Sequence, residues 1–183
     1  KVTGREVKKL DSEKMMDSTR GKTAARERTI ALLGTNLFYE IPITIFRAIR
    51  ENARKQNYNL LCFSAETYRS PLTFEAQANI LYKMISPRIT DGMIIISNLL
   101  SYFTSPAEFR EFCTQFLPLP VVSIGMVIEG FPSVVLDNTK GMYDEVCHLI
   151  EAHNCSRIAF VSGQHYHPDV TERFAAYTLA LES

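Results

Sequence analysis

The sequence predicts an α/β fold built on a doubly wound parallel sheet, and three features predict it. Short apolar runs of four to seven residues alternate with segments whose apolar residues recur at helical spacing. The strand-like runs are continuous in hydrophobicity rather than alternating, as strands covered on both faces must be. Almost every run ends in a polar or Gly-containing loop before its helix. Strand–helix alternation of this kind implies right-handed crossovers, parallel strands beneath helices, and loops gathered at the carboxyl ends of the strands, where open α/β sheets bind ligands.

Residues 29–34 (TIALLG) form the first predicted strand, and Ile43, Phe46, Ile49 and Ala53 mark the buried face of a helix over 41–55. Residues 59–64 (NLLCFS) are the second strand. Phe74, Ala78, Leu81 and Ile85 lie at offsets of four, three and four, which predicts a single helical face. Residues 92–97 (GMIIIS) are the third strand. Ser105 at the N-cap, Pro106 at the first helical position and Glu108 three residues after the cap announce the next helix, with Phe109, Phe112, Cys113 and Phe116 inward. Residues 121–125 are a fourth strand and 133–136 a short fifth. Met142, Val146, Leu149 and Ile150 define a helix ending near Asn154. Residues 157–163 (RIAFVSG) are the sixth strand, and Asp169 with Glu172 opens a last helix that runs to Ser183.

The composition is that of an ordinary folded domain: 183 residues, 46% hydrophobic, 22% charged and formally neutral. Neutrality excludes nucleic-acid binding by bulk positive potential. The balance is uneven, however, with nine Lys and Arg against five Asp and Glu in residues 1–29. Residues 1–28 therefore read as a basic tail, either a solvated linker or a nucleic-acid arm. The longest apolar runs fall far short of the ~18 residues of a membrane helix, and no charged-then-apolar leader opens the sequence. Cys62, Cys113, Cys147 and Cys155 show no CxxC spacing, and the first three sit within apolar patterns, as expected of reduced, buried thiols. A cytoplasmic location follows as the expectation.

The loops carry no recognised catalytic or phosphate motif. The first, residues 34–39 (GTNLFY), lacks both GxGxxG and GxxxxGK[ST] spacing. Asn36, Phe38 and Tyr39 suit a polar, ring-shaped solute, with an amide for hydroxyls and aromatics for stacking; the two rings equally suit packing beneath the loop. His165 and His167 are too few for a closed zinc site and read as loop histidines that hydrogen-bond solute or water. Ser162-Gly163 lacks the nucleophile-elbow pattern, and nothing pairs a nucleophile with a base. No catalysis, no cofactor and no metal site is expected. Arg173, in the first turn of the last helix, could fork two hydrogen bonds onto a solute or pair with Glu172 or Asp169.

The order of these segments resembles the effector-binding core of the LacI/GalR regulators, which have the periplasmic-binding-protein fold. The resemblance rests on residues 29–34 with their helix, 58–64 (YNLLCFS), 91–97 (DGMIIIS), 119–125 (LPVVSIG), and PSVVLDNTKG, RIAFVSG and TERFAAYTLAL within 132–181. It implies two similar lobes with solute bound between them. Residues 29–154 would form a nearly complete first lobe, and residues 155–183 the beginning of a second. The rest of that second lobe would lie beyond Ser183. Arg173 falls on the family's effector-binding arginine, with Ala176 in place of the usual Gly of R-x-x-G-Y. The loop carrying Asn36, Phe38 and Tyr39 matches a ligand-contacting loop, and Ser97 with Asn98 matches another. Asp137 and Asn138 match a DN pair that caps the next helix or touches solute.

The resemblance further implies a cytoplasmic homodimer that senses a small molecule, a sugar or polyol, for a transcriptional output. The family's helix-turn-helix reader has no counterpart in residues 1–29, so DNA contact would come through a reader domain absent from this chain. Some phrases, such as EGFPSVVLDN followed by GM, also look like sensor modules of bacterial histidine kinases or diguanylate cyclases. A transport solute-binding protein is a further alternative.

Overall fold

The computed structural model describes residues 27–37, 40–163 and 167–182. Five parallel strands form one sheet: β1 (Thr29–Thr35), β2 (Asn59–Ala65), β3 (Gly92–Ile96), β4 (Val121–Ile124) and β5 (Ser133–Val134), in the order β2-β1-β3-β4-β5. β1 lies between β2 and β3, with Leu32 opposite Cys62 on one side and Ile94 on the other. Its Ala31, Leu32 and Leu33 have no exposed surface, which explains the unbroken apolar run: a central parallel strand is covered on both faces. This is the doubly wound α/β sheet that the sequence predicts.

The two faces carry separate cores. On one, Leu32, Leu37 and Ile96 pack with Ile45, Phe46 and Ile49 of helix α1 (Glu40–Lys55). On the other, Ala31, Leu33, Phe63, Met93, Ile95 and Val121 pack beneath Phe109, Phe112 and Cys113 of α4 (Pro106–Thr114), together with Tyr82. Phe112 is the hub of an aromatic cluster, with ring centroids 4.3 Å from Tyr68, 5.2 Å from Tyr82 and Phe116, and 5.4 Å from Phe109. Burial pushes the Cys113 thiol up to about 12, so it stays protonated and acts as a small apolar group.

The N-terminus of α4 is the capping box read from the sequence: Ser105 Oγ accepts from Glu108 N, and Glu108 Oε2 accepts from Ser105 N at 2.9 Å. The Ser105 bonds and the Arg69 guanidinium hold the Glu108 carboxyl below its usual range. The resulting stabilisation is present above the ordinary carboxylate range and fades as pH falls through the lowered value. Ser105→Ala is expected to cost about 1 kcal/mol, read as a lower urea midpoint at unchanged m-value; an unchanged midpoint would show that the box contributes nothing.

Four local expectations are corrected. The helix predicted over Phe74–Ile85 is split into α2 (Thr73–Ala78) and a 3-10 segment, Asn79–Met84. Tertiary bonds compete with the helix there. Asn79 Oδ1 accepts from Glu66 N (3.1 Å), Asn79 Nδ2 donates to Thr67 O (3.0 Å), and Tyr82 OH donates to Glu66 O. Second, β3 runs directly into a four-residue helix, α3 (Ser97–Leu100), with no loop. Third, residues 157–163 form no strand, because no described strand lies alongside to complete a ladder. Val161 is 94% exposed there. The segment is instead tied to α6 (Pro168–Glu182): Tyr177 OH donates to Ile158 O (2.8 Å), and Phe160 packs on Phe174 and Tyr177. Fourth, Cys62 is exposed, since β2 is an edge strand with one side open; Cys113 is buried, Cys147 is half-buried, and all four thiols are free.

Helix α5 (Asn138–Glu151) begins as expected at an Asp137 cap, whose Oδ1 accepts from Lys140 N at 2.9 Å. It packs chiefly on α6 rather than on the sheet. No helix among the described residues is long and apolar enough to cross a membrane. The basic tail, residues 1–26 at least, lies outside the described residues.

Candidate functional site

The strand order places a topological switch point between β1 and β3. The chain leaves β1 through α1 on one face of the sheet and reaches β3 through the segment on the other. The connections that leave the carboxyl ends of β1 and β3 therefore run to opposite faces of the sheet, and the point between them is the usual ligand position in open α/β sheets. Asn36 sits at the end of β1, Ser97 and Asn98 at the end of β3, and Gly125 at the end of β4. Three of the residues selected from the sequence are thus brought to one rim by sheet topology alone.

Asn36 is exposed and left-handed, with φ 49°. Asparagine tolerates this conformation better than most residues, which lets the chain turn sharply from β1 toward α1. The turn is anchored by Leu37, whose side chain is buried beside Gly34; a β-carbon on Gly34 would come within 2.6 Å of Leu37 Cδ2. Phe38, Tyr39 and His165 lie outside the described residues.

Ser97 is wholly buried. Its hydroxyl shares a 2.8 Å hydrogen bond with Ser123 Oγ, which also reaches Met126 O at 2.6 Å. These bonds pin the start of α3 to β4, so Ser97 forms part of the floor beneath the rim. Asn98 is half-buried, and its amide lies against Gly125. The Asn98 carbonyl oxygen lies 3.3 Å from His167 Nε2. His167 thereby brings the start of α6 to the end of β3.

A second polar group forms where α5 meets α6. Arg173 Nε donates to Asn138 Oδ1 at 2.9 Å, and Asn138 Nδ2 donates to Glu172 Oε2 at 3.3 Å. Asn138 is buried and bridges two charged neighbours, whereas Asp137 is exposed and caps α5. Arg173 itself is exposed; among the described residues its recorded bond goes to Asn138, not to Glu172 or Asp169.

Gly125 and Glu66 escaped the sequence-based selection of site positions, and His167 was read only as a loop histidine that hydrogen-bonds solute or water. His167 carries only the weak signal of a loop histidine, and its partner lies 69 residues away. Gly125 gives no signal beyond being a glycine after a strand. Glu66, after β2, reaches the end of β1 through Thr35 Oγ1 at 3.4 Å, a contact that strand pairing alone creates. No group of three or more described His, Cys, Asp or Glu side chains could hold a metal ion. The rim therefore offers the amides of Asn36 and Asn98 and the imidazole of His167, with the Glu66 carboxylate beside them.

Comparison with known proteins finds the same fold in solved structures of transcription regulators. The transcription regulator CcpA of Lactococcus lactis is 22% identical and superposes with a TM-score of 0.66, over 86% of this chain and 54% of its own. The Escherichia coli transcriptional repressor ascG is 24% identical, with a TM-score of 0.58 over 85% of this chain and 54% of its own. The lac repressor dimer bound to operator and the anti-inducer ONPF is 17% identical, with a TM-score of 0.63 over 95% and 56%. The chain spans about half the length of these proteins. No protein-family model matches it, and no curated protein matches it in sequence. The periplasmic-binding-protein-like α/β lobe expected from the LacI/GalR resemblance is the fold that is found.

Proposed function

We propose that this chain is the small-molecule sensing part of a LacI-type transcriptional regulator. In this reading it binds a sugar or polyol between two lobes and catalyses nothing itself. The observation that carries the reading is the gathering of Asn36, Asn98 and His167 at the switch-point crevice, in a fold shared with transcriptional repressors. Residues 29–136 are read as belonging to the first lobe. The second lobe is proposed to begin with Asp137 rather than Cys155, because α5 packs chiefly on α6. Residues 135–137 would then serve as a connection between lobes. His167 from one side and Asn98 from the other meet across the crevice.

Solute binding would shift the open–closed equilibrium by its difference in affinity for the two forms, and only by that difference. The output would pass to DNA through a separate reader domain, in the cytoplasm. A homodimer through the first lobe is supported by the open edge of β2 and by the exposed apolar side chains of Leu72, Phe74, Ile80 and Met84 beside it.

The test is a thermal-shift and calorimetric screen of neutral sugars and polyols on the whole protein. At a hundredfold excess over Kd a single-site ligand contributes about 2.7 kcal/mol, so the expected result is a saturable rise in Tm with at least one sugar. Absence of any shift across the screen, or turnover of the bound compound, would sink the proposal.

A further inference from the structure

The amide of Asn98 occupies the space that a side chain at position 125 would take. A β-carbon built on Gly125 would lie 2.5 Å from Asn98 Cγ, 2.6 Å from Oδ1 and 2.9 Å from Nδ2, closer than real β-carbons approach other atoms. Gly125 also has φ +86°, a conformation that side chains disfavour.

Neither backbone can retreat. Gly125 N donates to Val134 O at 2.8 Å, which ties it to β5. Asn98 follows Ser97, whose hydroxyl is bonded to Ser123 in the floor, and its own carbonyl is paired with His167. The last paired residues of β3 and β4, Ile96 and Ile124, hold the two chain ends in register. The amide therefore has one face on Gly125, and among the described residues neither Oδ1 nor Nδ2 has a hydrogen-bond partner. A half-buried amide whose bonds are incomplete is costly unless something else completes them.

We propose that Gly125 is a positioning residue of the rim: its missing β-carbon leaves room for the Asn98 amide to lie across the end of β4, where it presents a donor–acceptor pair to a neutral, hydroxyl-bearing solute. The proposal rests on the sensing role advanced above for the solute, but not for the geometry. One amide presents an N–H donor and a C=O acceptor in a single plane, and a hydroxyl both donates and accepts.

The test is a double-mutant cycle in the whole protein with 15N-labelled asparagine. Gly125→Ala is expected to lower Tm by about 4–8 °C. In the Asn98→Ala background the loss should fall to about half, since the φ penalty remains and the collision is gone. Equal losses in both backgrounds overturn the proposal. Should Gly125→Ala fail to fold, the unmodified protein supplies the same answer: a nuclear Overhauser contact between the Asn98 Nδ2 protons and the Gly125 Hα protons is expected, and its absence overturns the placement.

Titration with D-ribose, D-galactose and D-glucose then reads the role in binding. A sugar bound by calorimetry should move the Asn98 side-chain resonances, and Gly125→Ala should weaken its affinity about tenfold, one lost hydrogen bond. Binding with the amide unmoved overturns the positioning role while leaving the sensing role intact. No binding by any of these sugars counts against the sugar reading, whereas the coupling between Gly125 and Asn98 stands or falls by the cycle alone.

Discussion

Phe112→Ala is expected to destabilise the domain by about 3–5 kcal/mol, the range for removing a large aromatic ring from a close-packed core. Phe112 is 2% exposed and touches the rings of Tyr68, Tyr82, Phe109 and Phe116. These neighbours come from three separate parts of the chain, so they cannot close over the cavity by moving one segment. The loss combines burial of about six ring carbons with the edge-to-face contacts of the ring. It should be read as a lower urea midpoint at constant m-value, with a fall in Tm on the order of 6–20 °C. Phe74→Ala serves as the control, since its ring is 68% exposed on α2; its effect on a monomer should stay within about 0.5 kcal/mol. A loss under 1 kcal/mol for Phe112→Ala would show that the cluster is not the packing centre of that face.

Arg173→Ala is expected to weaken binding of the sugar identified by the screen about 10- to 100-fold, the worth of a charge-assisted hydrogen bond, roughly 1.5–3 kcal/mol. The structure adds a reason for the direction of the effect. With Nε held by Asn138, which Glu172 holds in turn, the guanidinium is fixed in rotation. Only the terminal nitrogens remain to fork onto a solute. Arg173→Lys should recover little of the loss, because an ammonium cannot hold Asn138 and present a planar fork together. Calorimetric titration of the three proteins decides the matter, and equal affinity in the wild-type and alanine proteins would remove Arg173 from the site. A modest drop in stability, about 1 kcal/mol, should accompany Arg173→Ala, because Asn138 Oδ1 is buried and loses its donor.

Much of the architecture was legible in the sequence because it is encoded by local, repeating signals. The continuous apolar run at residues 29–34 can be satisfied only by cover on both faces, and it became an interior strand. The Ser105–Pro106–Glu108 pattern is complete within four residues, so its capping box formed as read. Asp137 likewise caps the helix that follows it. Failures occur where a distant partner outbids a local preference. Asn79 looks like one more residue on a helical face until the backbone of Glu66 and Thr67 claims its amide and breaks the helix. Residues 157–163 have the composition of a strand, but a strand is a property of neighbours, and none is present among the described residues. Cys62 carries an apolar context in sequence, yet an edge strand leaves it open.

The candidate site divides in the same way. Asn36 could be selected because a polar residue following an apolar strand falls at the ligand-binding end of a parallel sheet, and Asn98 because its segment resembles a ligand-contacting loop of the LacI/GalR regulators. Their meeting at one crevice required the strand order, which no local pattern states. The contact of His167 with Asn98 and the role of Gly125 were beyond reach, since each depends on Asn98, across 69 residues in one case and 27 in the other.

The sequence by itself determined that this protein is an α/β domain with a parallel sheet, where its five strands and the Ser105 cap lie, and which strand ends face the ligand position. Those properties follow from burial periodicity and from hydrogen bonds that close within a few residues. Tertiary structure alone decided which rim residues meet, why position 125 has no side chain, and that α5 belongs with α6 rather than with the sheet. Such choices depend on contacts whose partners are far apart in the chain, and only the folded packing brings those partners within a few ångströms.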